Sequence, residues 1–174
     1  WIQNILAEDN VSDGTDAGLR MKSTNFMGGG ARNVIFRDSA IRNTLKQAFI
    51  FTLDYNDPNA KLDYQRSTIP GQFRDIRVAD VSVENAQGKA IEVKGDSQHN
   101  AWHQGLVFER VRFSGPAVAK IDGLKDSRFN SVSFIGHGIK RCIGHQIATM
   151  IVALLGIHGQ RTNHHRILHV GEVD

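Results

Sequence analysis

The chain is poor in cysteine, with only Cys142 in 174 residues, which excludes an internal disulfide framework and a four-cysteine zinc site. It lacks a long apolar run: Ile147 to Ile157 is the longest, too short to span a bilayer. It lacks blocks of lysine and arginine. The formal charge is +3 and the pI about 9.2, which admits an acidic partner but not the clustered basic face that nucleic acid asks for. Proline is scarce, at 3 against 17 glycines, so turn signals are carried by glycine, asparagine and aspartate. No charged-then-apolar leader opens the chain at Trp1. At 40% hydrophobic and 22% charged residues, what remains is a globular composition with room for one domain or part of a larger one.

A repeat runs through the first 136 residues. Asn4 to Asp13 lines up with Asn33 to Arg42, with Asp75 to Glu84 and with Gly105 to Ser114, and Val132 to Gly136 is a shorter copy. With Ile5, Val34, Ile76 and Leu106 as equivalents, the steps are 29, 42 and 30 residues, and a further step of 21 joins Gly115 to Gly136. The long step holds a polar stretch, Asn56 to Pro70, that reads as an inserted loop. Second alternating runs follow at Gly18–Lys22, Ala48–Thr52, Ala90–Lys94 and Ala117–Ile121. Period-2 alternation without helical segments predicts an all-β fold, a parallel β-helix, with an antiparallel sandwich as the rival. Asn43 and Asn85 fall at equivalent turns and are expected to stack as an internal ladder. A solenoid needs caps and nothing precedes Trp1 to cover that end, so N-terminal coils are expected to be missing.

Residues 137–174 read differently. They hold six of the 8 histidines, no acidic residue before Glu172 and no strand alternation. They are expected to be an atypical tail, out of frame or poorly ordered, with a C-terminal cap as the alternative.

The stretch Asp13-Gly-Thr-Asp-Ala-Gly-Leu-Arg-Met-Lys-Ser23 is the most informative. On a strand, Leu19 and Met21 point one way and Arg20 and Lys22 the other. Two cations on one face about 7 Å apart can grip one carboxylate, though solvated surface charges have the same pattern.

In its repeat context, Gly14-Thr-Asp-Ala-Gly-Leu-Arg-Met-Lys-Ser23 resembles the Gly-Leu/Ile-Arg-Ile-Lys segment of the polygalacturonases, glycoside hydrolase family 28. The Asp-Gly-Thr-Asp form, followed by Gly28-Gly29-Gly30 and an Asn-Val-Ile-Phe strand, is similar to the bacterial exo-acting branch. Ala17 stands where that branch often has Arg, and Met21 where it usually has Ile. The resemblance implies a right-handed parallel β-helix that hydrolyses α-1,4-galacturonan with inversion. It implies that Arg20 and Lys22 bind a galacturonate carboxylate beside the cleaved bond, and that Tyr55 is the active-site tyrosine of the next coil. Strict alternation from Phe49, Phe51 and Leu53 turns Tyr55 inward, so that role requires a bend at Asp54. The family's Asn-Thr-Asp, Asp-Asp and Gly-His-Gly segments precede its Arg-x-Lys motif. The 19 residues before Arg20 contain none of them, and Gly136-His137-Gly138 follows the motif instead. Catalytic residues are therefore expected upstream of this chain, which alone is expected to be inactive.

The implied partner is an acidic polysaccharide, galacturonan or pectin, or its oligosaccharides. Neither cofactor nor metal, nucleic acid nor membrane is expected, and the full-length protein is read as a monomer outside the cell or in the periplasm. Glu92 and Lys94 repeat the Arg20 and Lys22 positions two coils on and read as a solvated ion pair. Gly28–Gly30 reads as a turn and not a phosphate loop, His99 and His103 as loop residues and not a metal pair, and Cys142 as a bystander. Two readings of another kind stay open: a non-catalytic carbohydrate-binding or structural β-helix, and a calcium-dependent β-helical lyase, for which acidic clusters are not evident.

Overall fold

The computed structural model describes residues 1–55, 67–115 and 118–135, together with the backbone of strands at 140–143 and 167–169. Most of the loop expected at 56–70, the Gly136-His137-Gly138 segment, the side chain of Cys142 and most of the tail lie outside the described residues.

The chain is a parallel β-helix. One sheet has the order β1 (Ile2–Glu8), β4 (Gly30–Arg42), β6 (Gln72–Glu84), β8 (His103–Ser114), β12 (Ser133–Ile135), β14 (Ile167–His169), with β2 (Val11–Asp13) beside β4 and β10 (Leu124–Lys125) and β11 (Arg128–Asn130) beside β8. The second runs β13 (Lys140–Ile143), β9 (Val118–Asp122), β7 (Lys89–Lys94), β5 (Gln47–Thr52), β3 (Ala17–Lys22). Among the described residues, every pairing between these strands is parallel except β12 with β14. The register pairs Ile5 with Val34, Val34 with Ile76 and Ile76 with Leu106, which is the frame of the sequence repeat. The shorter copy is also in frame, with Ile135 opposite Ser114.

The long strands bend, and the cause is a column of left-handed residues. Positive φ occurs at Asn4, Asp9 and Gly14, then at Asn33, Asp38 and Asn43, then at Asp75, Asp80 and Asn85, then at Gly105, Arg110 and Gly115. Each coil therefore turns every five residues, and the equivalent corners stack through the ladder register. Glycine, asparagine and aspartate tolerate this conformation best, which is why they fill nearly every corner. Arg110 is an exception and donates two hydrogen bonds, of 2.6 and 2.7 Å, to the carboxylate of Asp80 in the corner above. The third column is tied by amides: Asn85 donates to Asn43 at 3.0 Å, and Asn43 to Asp13 at 2.9 Å. This asparagine ladder is exposed rather than internal, because its backbone turns outward at the corner and leaves the side chains in solvent.

Between corners the inward positions stack like on like. Phe49 lies edge-on to Phe36, Phe108 and Phe113, at centroid distances of 6.4, 5.4 and 5.9 Å. Phe108 and Phe113 stack face to face on Phe129 and Phe134 of the next coil, at 5.1 and 4.7 Å. At the β1 end of the stack these inward columns begin with exposed residues, Ile2 opposite Ala31 and Ile5 opposite Val34.

One buried group ties the coil links to this core. His103 is fully buried and stacks on Phe73 at 4.9 Å. Its Nδ1 accepts from the Phe73 N–H at 3.1 Å and its Nε2 faces the Lys94 carbonyl at 3.2 Å, so the backbone occupies both ring nitrogens. Burial pushes its pKa down to about 4, only partly opposed by the Lys94 carbonyl.

Two predictions follow from these contacts. His103 binds a proton more readily unfolded than folded, so its contribution is complete above pH 6.5 and falls away toward pH 4. It should amount to about 3 kcal/mol across that window. Urea midpoints for the wild type and His103→Gln, measured from pH 7 to pH 4, should show a steeper decline in the wild type; parallel declines would refute the assignment. At the corner, Asn85→Ala should cost about 1–2 kcal/mol because alanine resists the left-handed region, whereas Asn85→Gly should lose far less. Equal urea midpoints for the two variants would exclude the corner strain as the cause.

Candidate functional site

The outward positions of the second sheet form two rows across the coils. Arg20, Ile50, Glu92 and Lys120 are in register, as are Lys22, Thr52, Lys94 and Asp122. Alternation explains the placement: Leu19 and Met21, between the two cations, pack against the core. Above these rows lies an open cleft of about 280 Å³, lined by Arg20, Lys22, Ile50, Tyr55, Glu92 and Lys94 together with Asp16, Ala17, Lys46, Gln47, Thr52 and Asp54.

The structure brings Arg20, Lys22 and Tyr55 into this one cleft. Tyr55 does not continue the inward alternation of Phe49, Phe51 and Leu53. After Leu53 the chain leaves the strand: Asp54 N–H donates to Thr52 Oγ1 at 3.0 Å, Asp54 pairs antiparallel with Thr24, and Tyr55 N–H donates to the Ser23 carbonyl at 3.2 Å. The threonine hydroxyl captures the N–H two residues on, a local bond that competes with the ladder and makes the bend. The ring then lies under Lys22, with Nζ 3.8 Å from its centroid.

Four cations line the cleft, and they divide into two kinds. Lys46 is paired with Asp16 at 2.8 Å, and Lys94 with Asp54. Arg20 and Lys22 form no salt bridge among the described residues, although the Arg20 charge also helps to lower the Asp16 pKa. The carboxylates of the cleft are all engaged. Lys46 holds Asp16 below the usual aspartate range by its hydrogen bond and its charge. Burial pushes the Glu92 pKa upward, but hydrogen bonds from Lys89 at 2.8 Å and Gln47 at 2.6 Å outweigh it and leave the group below its ordinary value. Glu92 and Lys94 thus share a face but not an ion pair: each is bonded to another residue. The register puts them two coils from Arg20 and Lys22, as the repeat implies.

Asp16, Lys46, Gln47 and Asp54 were not singled out by the sequence reading. For Asp16 and Lys46 the signal is the register itself: Ala17 is opposite Gln47, which places the residues just before the two strands at the same lip. His99 and His103 do not come together as ligands, since His103 is enclosed by backbone and His99 bonds Asp96 at 2.6 Å. Among the described residues, no group of three or more His, Cys, Asp or Glu is arranged to hold a metal.

The cleft also makes a prediction about how Lys22 is held. A lysine ammonium over a tyrosine face is worth about 0.5–1 kcal/mol at an exposed site, and the ring shields the methylene next to the nitrogen. Tyr55→Ala should move the Lys22 Hε resonances downfield toward free-lysine values, and Tyr55→Phe should leave them shifted. Unchanged Lys22 resonances in Tyr55→Ala would show that the stacking is absent in solution.

Comparison with known proteins finds relatives in sequence and in structure. The chain is 42% identical over 135 residues to the exo-poly-α-D-galacturonosidase of Dickeya chrysanthemi, a match spanning 76% of this chain and 22% of that protein. It superposes on the family 28 exopolygalacturonase of Yersinia enterocolitica with a TM-score of 0.69 and 40% identity, covering 83% of this chain and 27% of that one. The chain therefore spans about a quarter of the length of these relatives. No family model matches it.

Proposed function

Because this chain is exopolygalacturonase-like, of glycoside hydrolase family 28 over the part it spans, we propose that it supplies the carboxylate-binding side of a galacturonan-hydrolysing cleft. One observation carries this reading. Of the cations lining the cleft, Arg20 and Lys22 are the two that form no salt bridge among the described residues, and they are the two that the sequence motif singles out. The guanidinium offers a planar fork and the ammonium a second donor, which together match the oxygens of one uronate carboxylate. Tyr55 acts as a positioning residue that holds Lys22 over its ring.

The reaction is inverting hydrolysis of an α-1,4 bond. An acid protonates the leaving glycosidic oxygen while a carboxylate base takes a proton from a water that attacks the anomeric carbon from the opposite face. The acid must hold a proton at working pH. Asp16 and Glu92 are both shifted the other way by their lysine partners, and Asp54 is bonded to Lys94. These groups, each tied to a lysine, shape the cleft, and the acid and the base are assigned to residues other than these three. By itself the chain binds but does not cleave, and the complete protein acts on galacturonan outside the cell or in the periplasm.

Calorimetric titration of the 174-residue chain with digalacturonate tests the reading. Arg20→Ala should weaken binding about tenfold or more, since a hydrogen bond to a charged group is worth about 1.5–3 kcal/mol. Lys22→Ala should act in the same direction, and affinity should fall as salt rises. A folded Arg20→Ala/Lys22→Ala variant that binds like the wild type would overturn the proposal, and hydrolysis of the ligand by the wild-type chain would overturn the assignment of acid and base elsewhere.

A further inference from the structure

The two tryptophans of the chain, Trp1 and Trp102, stand on one row outside the cleft. The frame of the first sheet puts Trp1 beside Gly30 and Gly30 opposite Gln72. Gln72 in turn lies beside Trp102, whose carbonyl accepts from Gln72 Nε2 at 2.8 Å. Trp102 falls between the buried Ala101 and His103, so its ring faces out. Two residues along, on the same outward face, Gln3, Arg32, Arg74, Gln104 and Lys125 are in register on successive strands. Cations of this second row lie over both tryptophans. Arg32 and Arg74 are 5.2 and 4.7 Å from the centroid of the Trp1 ring, and Lys125 is 4.5 Å from that of Trp102. Trp1 is half exposed, and Trp102 keeps part of its surface in solvent. The acids beside the row sit on its corner side. Asp75 is 4.0 Å from Arg74 Nε, beyond hydrogen-bond distance, and Asp126 accepts from Gln104 at 2.8 Å.

An acidic sugar asks for this pairing. A flat aromatic face packs on the apolar C–H face of a pyranose, and a cation at its edge meets the carboxylate. A guanidinium can stack on the ring and still donate from its outer N–H groups. Arg32 and Arg74 are one ladder step apart, about 4.8 Å, comparable with the advance of a polyuronate, which carries one carboxylate per sugar. The two tryptophans are three steps apart, about 14 Å, which suits an extended polymer and not a single sugar. Taking the galacturonan class from the reading of the cleft given above, we propose that this face of the first sheet is a second, non-catalytic site for a stretch of acidic polysaccharide lying along the axis of the helix. Trp1 and Trp102 are its stacking platforms, and Arg32, Arg74 and Lys125 take the carboxylates. The loops 23–29 and 95–102 lead from the cleft strands onto this row, so a polymer held here lies one loop away from the cleft.

Because both tryptophans are on this row and the cleft is lined by Tyr55, tryptophan fluorescence reads this site. The 174-residue chain is titrated with hexagalacturonate under selective tryptophan excitation. The emission should change saturably. It should do so in Arg20→Ala/Lys22→Ala as well, with a midpoint within about threefold of the wild type. Arg32→Gln/Arg74→Gln should weaken the midpoint about tenfold or more, through loss of charge-assisted contacts. Glutamine already stands in that row at Gln3 and Gln104, so the variant should fold. Uncharged maltohexaose should give no saturable change. The inference fails if the wild type gives no signal, if the signal vanishes with Arg20 and Lys22, if Arg32→Gln/Arg74→Gln binds like the wild type, or if maltohexaose binds as well as the acid. The reading of Arg20 and Lys22 is judged apart from this, by calorimetry with digalacturonate. It stands when Arg20→Ala/Lys22→Ala loses that binding, whatever the tryptophans report.

Discussion

Left-handed backbone at five-residue intervals is the constraint from which the rest of this structure follows. An L-residue with a side chain pays a conformational penalty there of about 1–2 kcal/mol, so the corners select glycine, asparagine and aspartate. Once Asn33, Asp38 and Asn43 are fixed as corners, the residues between them have no freedom to slip. A one-residue slip would place Val34 or Phe36 outside and a corner inside. The parallel register that aligns Val34 with Ile76 and Leu106 is thus set twice, by the apolar columns inside and by the turning points outside. Stacked phenylalanines and the Arg110–Asp80 contact add attraction along the axis, but they act on a frame already specified.

That frame makes the cleft a surface of rows. Each outward position on the second sheet recurs once per coil, so a charge at one position has a neighbour of known identity a ladder spacing away. On both sheets the chain uses such spacing to pair several of its exposed charges across coils. Lys46 meets Asp16 at an offset of 30 residues, and Arg77 meets Glu109 at an offset of 32. Arg20 and Lys22 stand apart because their row continues into Ile50 and Thr52, which cannot answer a charge. Two cations side by side in one cleft, with no salt bridge among the described residues, are a more specific signal than the net charge, which is only +3.

Much of this was legible in the sequence. The steps between Ile5, Val34, Ile76 and Leu106 give the register directly, because a solenoid repeats its neighbours and little else. The face shared by Arg20 and Lys22 follows from alternation. The corners were harder to read, although Asn33, Asp38 and Asn43 spell them out: they lie inside runs that look like simple strands, and a single left-handed residue barely disturbs a period-2 pattern. Tyr55 shows the limit of alternation from the other side. A hydroxyl at Thr52 that captures one N–H was enough to redirect the chain. The pairing of Glu92 with Lys89 and Gln47, instead of with Lys94, depends on side-chain reach across coils, which register alone does not decide.

The corner columns also define where such a protein can change. First and third corners are ten residues apart in four successive coils: Asn4 to Gly14, Asn33 to Asn43, Asp75 to Asn85, Gly105 to Gly115. The repeat length nonetheless ranges from 29 to 42 residues between those coils. All of that variation falls on the return path, through the second sheet and the loop after it. One wall therefore behaves as a fixed ruler, while the opposite wall, where the cleft lies, tolerates insertion without disturbing the stack. Diversity in what such a solenoid grips can accumulate on that side by lengthening loops, coil by coil, with the register of the whole left untouched.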